Sequence, residues 1–368
     1  MMDPMVKENL KTTPLAVRHR EAGARMVDFA GWLMPVQYAG IIREHLHTRQ
    51  AAGLFDTSHM GELWLEGPTA RADLERLMTC RIEDLEPGRA RYGLLLESGG
   101  GILEDLIAYC VAQDRFLLVV NASNAEKDRA WIEGRLSRET ALTDTGGETA
   151  MLSLQGPLSR EVLAPLLPTE LDLASLKRFH LVETRVGGSG KAGAPTIVAR
   201  TGYTGELGYE LFVPRDAAAG LWDALVEHPR VEPVGLGARD TLRLEKGLPL
   251  YGNDLDETRT PIEAGLGRFV AMDTEFIGRA GLETRGEPAR VLTGFVCEGR
   301  RSARGHDGIT VDGRAGGEVT SGAFSPSMGR AIGLGYIERS AAQDGRSIRI
   351  DHRGVEIGAT VKTPPMVE

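Results

Sequence analysis

The 368-residue chain is poor in cysteine, lysine and aromatic residues, and no long apolar run interrupts it. Its three cysteines, Cys80, Cys110 and Cys297, lie far apart and form no Cys-x-x-Cys pair. This spacing argues against a thiolate zinc site or a disulfide framework and fits a reducing compartment. No hydrophobic stretch approaches the ~20 residues that span a bilayer. The N-terminal segment lacks the apolar core of a secretory signal, so a cytoplasmic protein with no membrane association is expected. Acids outnumber bases by 52 to 43, for a net charge of −9. Such a chain lacks the clustered positive charge that phosphate backbones require, and no nucleic-acid partner is expected. Only 7 of the bases are lysine against 36 arginines, a bias that by itself signals no ligand. Apolar residues, at 42%, are too abundant for a disordered chain.

Glycine is what the sequence has in excess, and it is unevenly placed. Residues 274–368 hold 17 of the 46 glycines and carry a net charge of +1, whereas residues 1–273 carry −10. This break predicts a domain boundary near Asp273. Beyond it, short β-type runs (Val291–Cys297, Gly317–Thr320, Ala331–Ile337, Ser347–Ile350) alternate with turns such as Asp312-Gly313 and Asp344-Gly345. That spacing predicts a small antiparallel barrel or sandwich.

The first 273 residues mix helix and strand. Gly40–Ala52 reads as a helix stopped by Gly53, and Thr69–Met78 as a helix with Leu74, Leu77 and Met78 inward. Gly61–Glu66 alternates Leu63 and Leu65 against Glu62, Trp64 and Glu66, as a half-buried strand does. Tyr92–Glu97 and Ile102–Val111 read as a hairpin turning at Ser98–Gly101, and Phe116–Asn121 as a strand before a helix capped by Ser123. Strands near 151–155, 182–186, 196–201 and 209–213 follow, with helices near 216–228 and 238–245. Hairpins outnumber strand–helix crossovers, which predicts an α+β fold with antiparallel sheets.

Two motif matches fail on context. Gly188–Gly193 fits G-x-G-x-x-G, but a β-type run follows where a dinucleotide site needs a helix. His45 and His47 sit two apart in a predicted helix and so face different ways, unlike a metal pair. The strand Ile102–Val111 is more informative. It is apolar on both faces yet carries Glu104 and Asp105, so at least one carboxylate stands in an apolar setting. Such an acid is a functional candidate, and the pattern does not choose between the two. Thr201–Glu210 gathers aromatic rings and acids in a turn-rich segment. Gly235–Asp240 is a glycine loop entering a helix, with Asp240 in its first turn and Arg239 able to meet an anion.

Taken in order, these segments resemble the T protein of the glycine cleavage system. Matching stretches run nearly end to end: Thr13–Leu15, Met26–Trp32, Gly53–Glu62, Gly100–Tyr109, Val119–Asn124, Gln155–Pro157, Arg200–Glu210, Gly235–Asp240, Leu250–Glu257 and Thr320–Pro326. The resemblance implies a three-domain cloverleaf. Residues 1–54 and 146–272 would form a discontinuous folate-binding α+β domain, 55–145 an inserted α+β domain, and 273–368 a C-terminal β-barrel. It implies an aminomethyltransferase that passes a one-carbon unit from the lipoyl arm of an H protein to tetrahydrofolate, releasing ammonia.

The resemblance also implies roles. Asp105 matches the acid near the reacting folate nitrogens, with a positioning and electrostatic rather than covalent part. Glu210 matches an acid that reads the pterin, its two oxygens suiting a pair of donors. Arg239 matches a folate-site arginine whose fork suits a carboxylate. Met60, Tyr92, Tyr109, Asn121 and Tyr203 match positions around the ring system. No metal is implied. The alternatives are a tetrahydrofolate-dependent demethylase on the same scaffold and a non-enzymatic folate-binding protein. The latter carries a Lys-Gly-Cys-Tyr-type signature, where this chain has Lys246-Gly247-Leu248-Pro249.

Overall fold

The computed structural model describes residues 9–187 and 193–367. The Gly188–Ala192 part of the glycine-rich match lies outside the described residues. In chain order the first elements are α1 (Ala16–Glu21), β1 (Arg25–Phe29), β2 (Trp32–Gln37), α2 (Ile41–Gln50), β3 (Ala52–Asp56), β4 (Gly61–Glu66), α3 (Ala70–Leu77), β5 (Arg89–Leu96), β6 (Ile102–Ala112), β7 (Arg115–Val120), α4 (Ala125–Glu133) and β8 (Ala141–Asp144). Next come β9 (Thr149–Gln155), α5 (Ser159–Leu163), β10 (Leu181–Val186), β11 (Ala194–Ala199), β12 (Gly208–Pro214), α6 (Ala218–Val226), β13 (Val231–Pro233) and α7 (Leu236–Glu245). The last are α8 (Arg279–Arg285), β14 (Arg290–Cys297), β15 (Gly308–Val311), β16 (Arg314–Ser325), β17 (Arg330–Glu338), β18 (Ser347–His352) and β19 (Val355–Val361).

Spatial proximity divides the chain into two compact units. The first holds the described residues up to Asp73 together with Glu83–Arg91 and Leu106–Arg239; the second holds Leu74–Ile82, Tyr92–Asp105 and the chain from Asp240 onward. In the first unit a six-stranded sheet runs β10-β11-β12-β9-β3-β13, antiparallel except where β13 joins β3. Alternation along β9 and β12 sends Leu152, Leu154, Leu211 and Val213 to one apolar core, which Val162 and Leu163 of α5 and Leu221, Trp222 and Leu225 of α6 complete. The opposite side supplies Met151, Ile197 and Phe212 to a second core, shared with Tyr109, Leu117 and Val119 of β6 and β7. Those two strands belong to a five-stranded sheet of order β5-β6-β7-β4-β8.

The second unit contains a closed barrel, β14-β17-β16-β15-β18-β19. Its interior is filled by Phe295, Val319, Ile337, Ile348 and Ile350, and closure removes the exposed strand edges. The hairpin turn between β5 and β6 also belongs here. Gly100 takes a φ of +86°, and a Cβ there would press on the main chain of Gly281 and Leu282, so only glycine suits the position.

The α+β fold with antiparallel sheets and a C-terminal barrel is therefore as expected, and most elements fall within a residue or two of their sequence-derived positions. Four local readings change. Gly53 lies inside β3, and α2 already ends at Gln50; a Cβ at Gly53 would collide with Thr48 and Val234, so close packing explains the glycine. Asn124 precedes α4, where Ser123 was expected as the cap. Asp240 lies beyond the first turn of α7 and bonds Arg243. Glu62, expected on the wet face of β4, is 1% exposed. The sheet is covered on both sides there, so period-two alternation does not separate wet from dry.

Candidate functional site

Glu210 sits in the middle of β12, flanked across the sheet by Ser153 and Ala199. Its carboxyl is buried, and the Thr201 and Tyr109 hydroxyls (the latter at 3.1 Å) both donate to Oε2, so neither hydrogen bond uses Oε1. Burial raises its pKa; the Thr201 hydrogen bond, the charge of Arg239 and the Tyr109 hydrogen bond hold it back in that order. Tyr109 is fully buried, its ring edge-on to Phe212 at 5.4 Å. Burial, reinforced by the Glu210 charge, keeps this phenol protonated, so it acts as a fixed donor.

Arg239 is half-buried in the first turns of α7, with its guanidinium 4.7 Å from the Tyr203 ring centroid. Its Nη1 is closed to solvent and has no hydrogen-bond partner among the described residues. Burial lowers its pKa, opposed by Tyr203 and Glu210. The loop that delivers it is anchored by a residue the sequence did not point to. Glu44 of α2, fully buried, accepts the backbone N–H groups of Tyr38 (2.7 Å) and Gly40 (2.8 Å) through Oε1 and that of Gly235 (2.8 Å) through Oε2. Gly235 runs so close to the main chain of Val36 and Gln37 that no Cβ would fit.

The first unit thus brings Glu210, Tyr109, Arg239 and Tyr203 into one connected group. Met60 is half-buried and packs on the same core as Tyr109. Asn121 follows the end of β7, half-buried, and its carbonyl accepts the N–H of Asn124 at 3.0 Å. Asp105 and Tyr92 belong to the second unit. The Tyr92 hydroxyl donates to Asp105 Oδ2 at 3.0 Å, and its ring stands edge-on to Phe269 at 4.7 Å. Of the two acids the pattern left open, Glu104 is fully buried, whereas Asp105 keeps partial exposure. Only the latter is open to a ligand without rearrangement. Among the described residues no cluster of three or more metal-ligating side chains occurs, and no helix is long and apolar enough to cross a membrane.

Known proteins decide the family. The family model of the GCVT N-terminal domain matches residues 15–274, and that of the glycine cleavage T-protein C-terminal barrel domain matches residues 290–368. The chain belongs to the glycine cleavage T-protein family. It is 44% identical to an aminomethyltransferase of Halothermothrix orenii, over 96% of this chain and 99% of that one. It is 47% identical to an aminomethyltransferase of Rubrobacter xylanophilus, over 91% and 89% of the two chains. Among solved structures, the glycine cleavage system aminomethyltransferase T of Bartonella henselae superposes with a TM-score of 0.90 at 38% identity, covering 98% of each chain.

Sequence reasoning missed four polar residues of this T-protein chain: Glu44, Thr201, His59 and Glu62. Thr201 lay within the segment singled out for its acids and rings, next to Tyr203. The others carry no local signal, because an acid on a helix or on the polar side of an alternating strand, or a histidine in a turn, is ordinarily solvated. Only burial marks them.

Proposed function

We propose that this chain transfers the one-carbon unit of an aminomethyl group, carried on the lipoyl sulfur of an H protein, to tetrahydrofolate, with release of ammonia. Family membership and the high-coverage likeness to aminomethyltransferases support the transferase reading. The observation that carries the folate assignment is the incomplete hydrogen bonding of the Glu210–Arg239 group. Glu210 Oε1 has no protein donor among the described residues, and Arg239 Nη1 has no acceptor. A ligand that offers N–H donors to the first and an oxygen acceptor to the second satisfies both; an aminopyrimidinone ring supplies the donors, and its carbonyl or a carboxylate-bearing tail supplies the acceptor.

Folate supplies the nucleophilic nitrogen that takes up the one-carbon unit. In this reading Glu210, fixed by Thr201 and Tyr109, orients the ring, and Arg239 with Tyr203 holds an acidic or carbonyl group. Asp105 supplies negative charge where positive charge develops on the one-carbon unit as ammonia departs; a preformed carboxylate needs no reorganisation at that moment. Tyr92 holds its rotamer by the 3.0 Å hydrogen bond. Asn121 and Met60 line the ligand. The deciding experiment is turnover of the purified chain with aminomethyl-lipoyl H protein and tetrahydrofolate, read as methylene-tetrahydrofolate and ammonia. Demethylation of a small sulfonium compound without activity on the carrier would replace this reading by the demethylase one.

A further inference from the structure

The loop between β3 and β4 carries His59, which is 4% exposed. Its Nδ1 is closed to solvent and has no hydrogen-bond partner among the described residues, as is true of Arg239 Nη1. A buried ring nitrogen without a partner is costly, and native structures keep few of them without cause. Its surroundings are defined. Phe29 meets the ring edge-on at 5.6 Å, and Asp56 and Arg239 are the charges that act on it. Asp56 already has three partners: Oδ2 accepts Thr13 Oγ1 at 2.6 Å and lies 2.8 Å from His19 Nε2, while Oδ1 accepts the Ser58 N–H at 2.9 Å. It has little capacity left for His59. Burial and the Arg239 cation hold the imidazole neutral, with its pKa pushed down to about 4. The loop thus presents an uncharged ring nitrogen next to Met60, which packs on the Tyr109 core, and in the field of an arginine whose Nη1 also lacks a partner among the described residues.

We infer that His59 is a further ligand-binding residue, which joins Arg239 in donating to one oxygen acceptor of the bound folate, a carbonyl or a carboxylate. The inference rests on the folate reading above. In the tautomer that carries its proton on Nδ1 the neutral imidazole donates there; two donors of which only one is charged suit an oxygen of either kind, and no second cation is placed beside Arg239. His59 Nδ1 and Arg239 Nη1 are both closed to solvent. The acceptor reaches them through the side-chain rotamer changes that commonly accompany binding.

Stability and affinity separate this role from a structural one. In His59→Leu a partnerless polar ring gives way to an apolar side chain, so the ligand-free melting temperature stays level or rises. Affinity for 5-formyltetrahydrofolate, measured by calorimetry, falls about tenfold or more, the loss expected of one buried hydrogen bond to a ligand. His59→Asn, whose amide nitrogen stands near the place of Nδ1, restores most of the affinity. Unchanged binding by His59→Leu overturns the inference, and so does a fall in its ligand-free stability, or an equal loss of affinity in His59→Asn. If the unmodified chain itself does not bind 5-formyltetrahydrofolate, the folate reading falls first; the two failures are thereby distinct.

Discussion

Replacing Glu62 by glutamine tests the physics of the sheet face that borders Tyr109. Glu62 is paired across β4 and β7 with Val119, which is paired in turn with Ile107 of β6, so the carboxyl shares its face with two aliphatic side chains. It is 1% exposed, and Oε2 has no partner among the described residues. Burial is the main cause that pushes its pKa from 4.5 up to about 8; the negative charge of Asp144 adds to it and a hydrogen bond from Thr149 opposes it. The folded chain therefore keeps a proton that the unfolded chain releases near pH 4.5. Stability from this group is fully present below pH 4.5 and is lost as the pH rises to about 8, beyond which the loss is complete. At about 1.4 kcal/mol per pH unit the whole loss is at most about 5 kcal/mol. Glutamine has nearly the same shape and no proton to lose. Urea titrations of both proteins from pH 5 to 8.5 isolate the term, because all other groups cancel in the difference. The Glu62→Gln variant should gain on the unmodified chain by several kcal/mol between pH 5 and 8.5, with any misfit of its amide adding only a constant. A difference that does not vary with pH would refute the assignment of a protonated, buried Glu62.

Asp105→Asn should fold normally and bind folate within a few-fold of the unmodified chain, while methylene-tetrahydrofolate formation drops about 10²-fold or more, since it removes preorganised charge but keeps shape; near-normal turnover would sink that role. Glu210→Ala should weaken 5-formyltetrahydrofolate binding by about 1.5–3 kcal/mol in calorimetry, the usual worth of hydrogen bonds to a charged group. In the second unit, Arg243 is 1% exposed and its Nη1 donates to Asp254 Oδ2 at 2.7 Å, with Ser321 Oγ taking Nη2 at 2.8 Å. Asp254→Asn leaves Asp240 as the remaining carboxylate on the buried guanidinium and should cost about 1.5–3 kcal/mol in denaturant unfolding, the usual worth of a hydrogen bond to a charged group; a loss under about 0.5 kcal/mol would show the cation reached by water. Asp56, whose burial would raise its pKa, is instead held below the usual range by its hydrogen bond to His19, that residue's charge and the Thr13 and Ser58 hydrogen bonds. Its contribution is present above the ordinary carboxyl range and lost as acid is added, so Asp56→Asn should flatten the acid limb of a stability–pH curve.

Much of this was legible in the sequence. The hairpin around Ser98–Gly101, the strand at 209–213 and the turn-separated strands of the barrel follow from alternation and turn chemistry, which are local. Residue identity also suffices for the ordered set of motifs from Thr13 to Pro326, and hence for the family. Local pattern could not show that Glu104 is buried and Asp105 partly open, because both acids stand on a strand covered on two sides. Nor could it show that Tyr109, Thr201 and Glu210, brought together from β6, β12 and the turn before it, share one carboxylate oxygen. The roles of Glu44 and His59 were equally hidden, since each involves a group more than a hundred residues away, Gly235 for the first and Arg239 for the second. Sequence fixes which side chains are available and how each strand alternates; burial, hydrogen-bond saturation and the pKa shifts they cause are properties of the packed interior, and only the tertiary structure decides them.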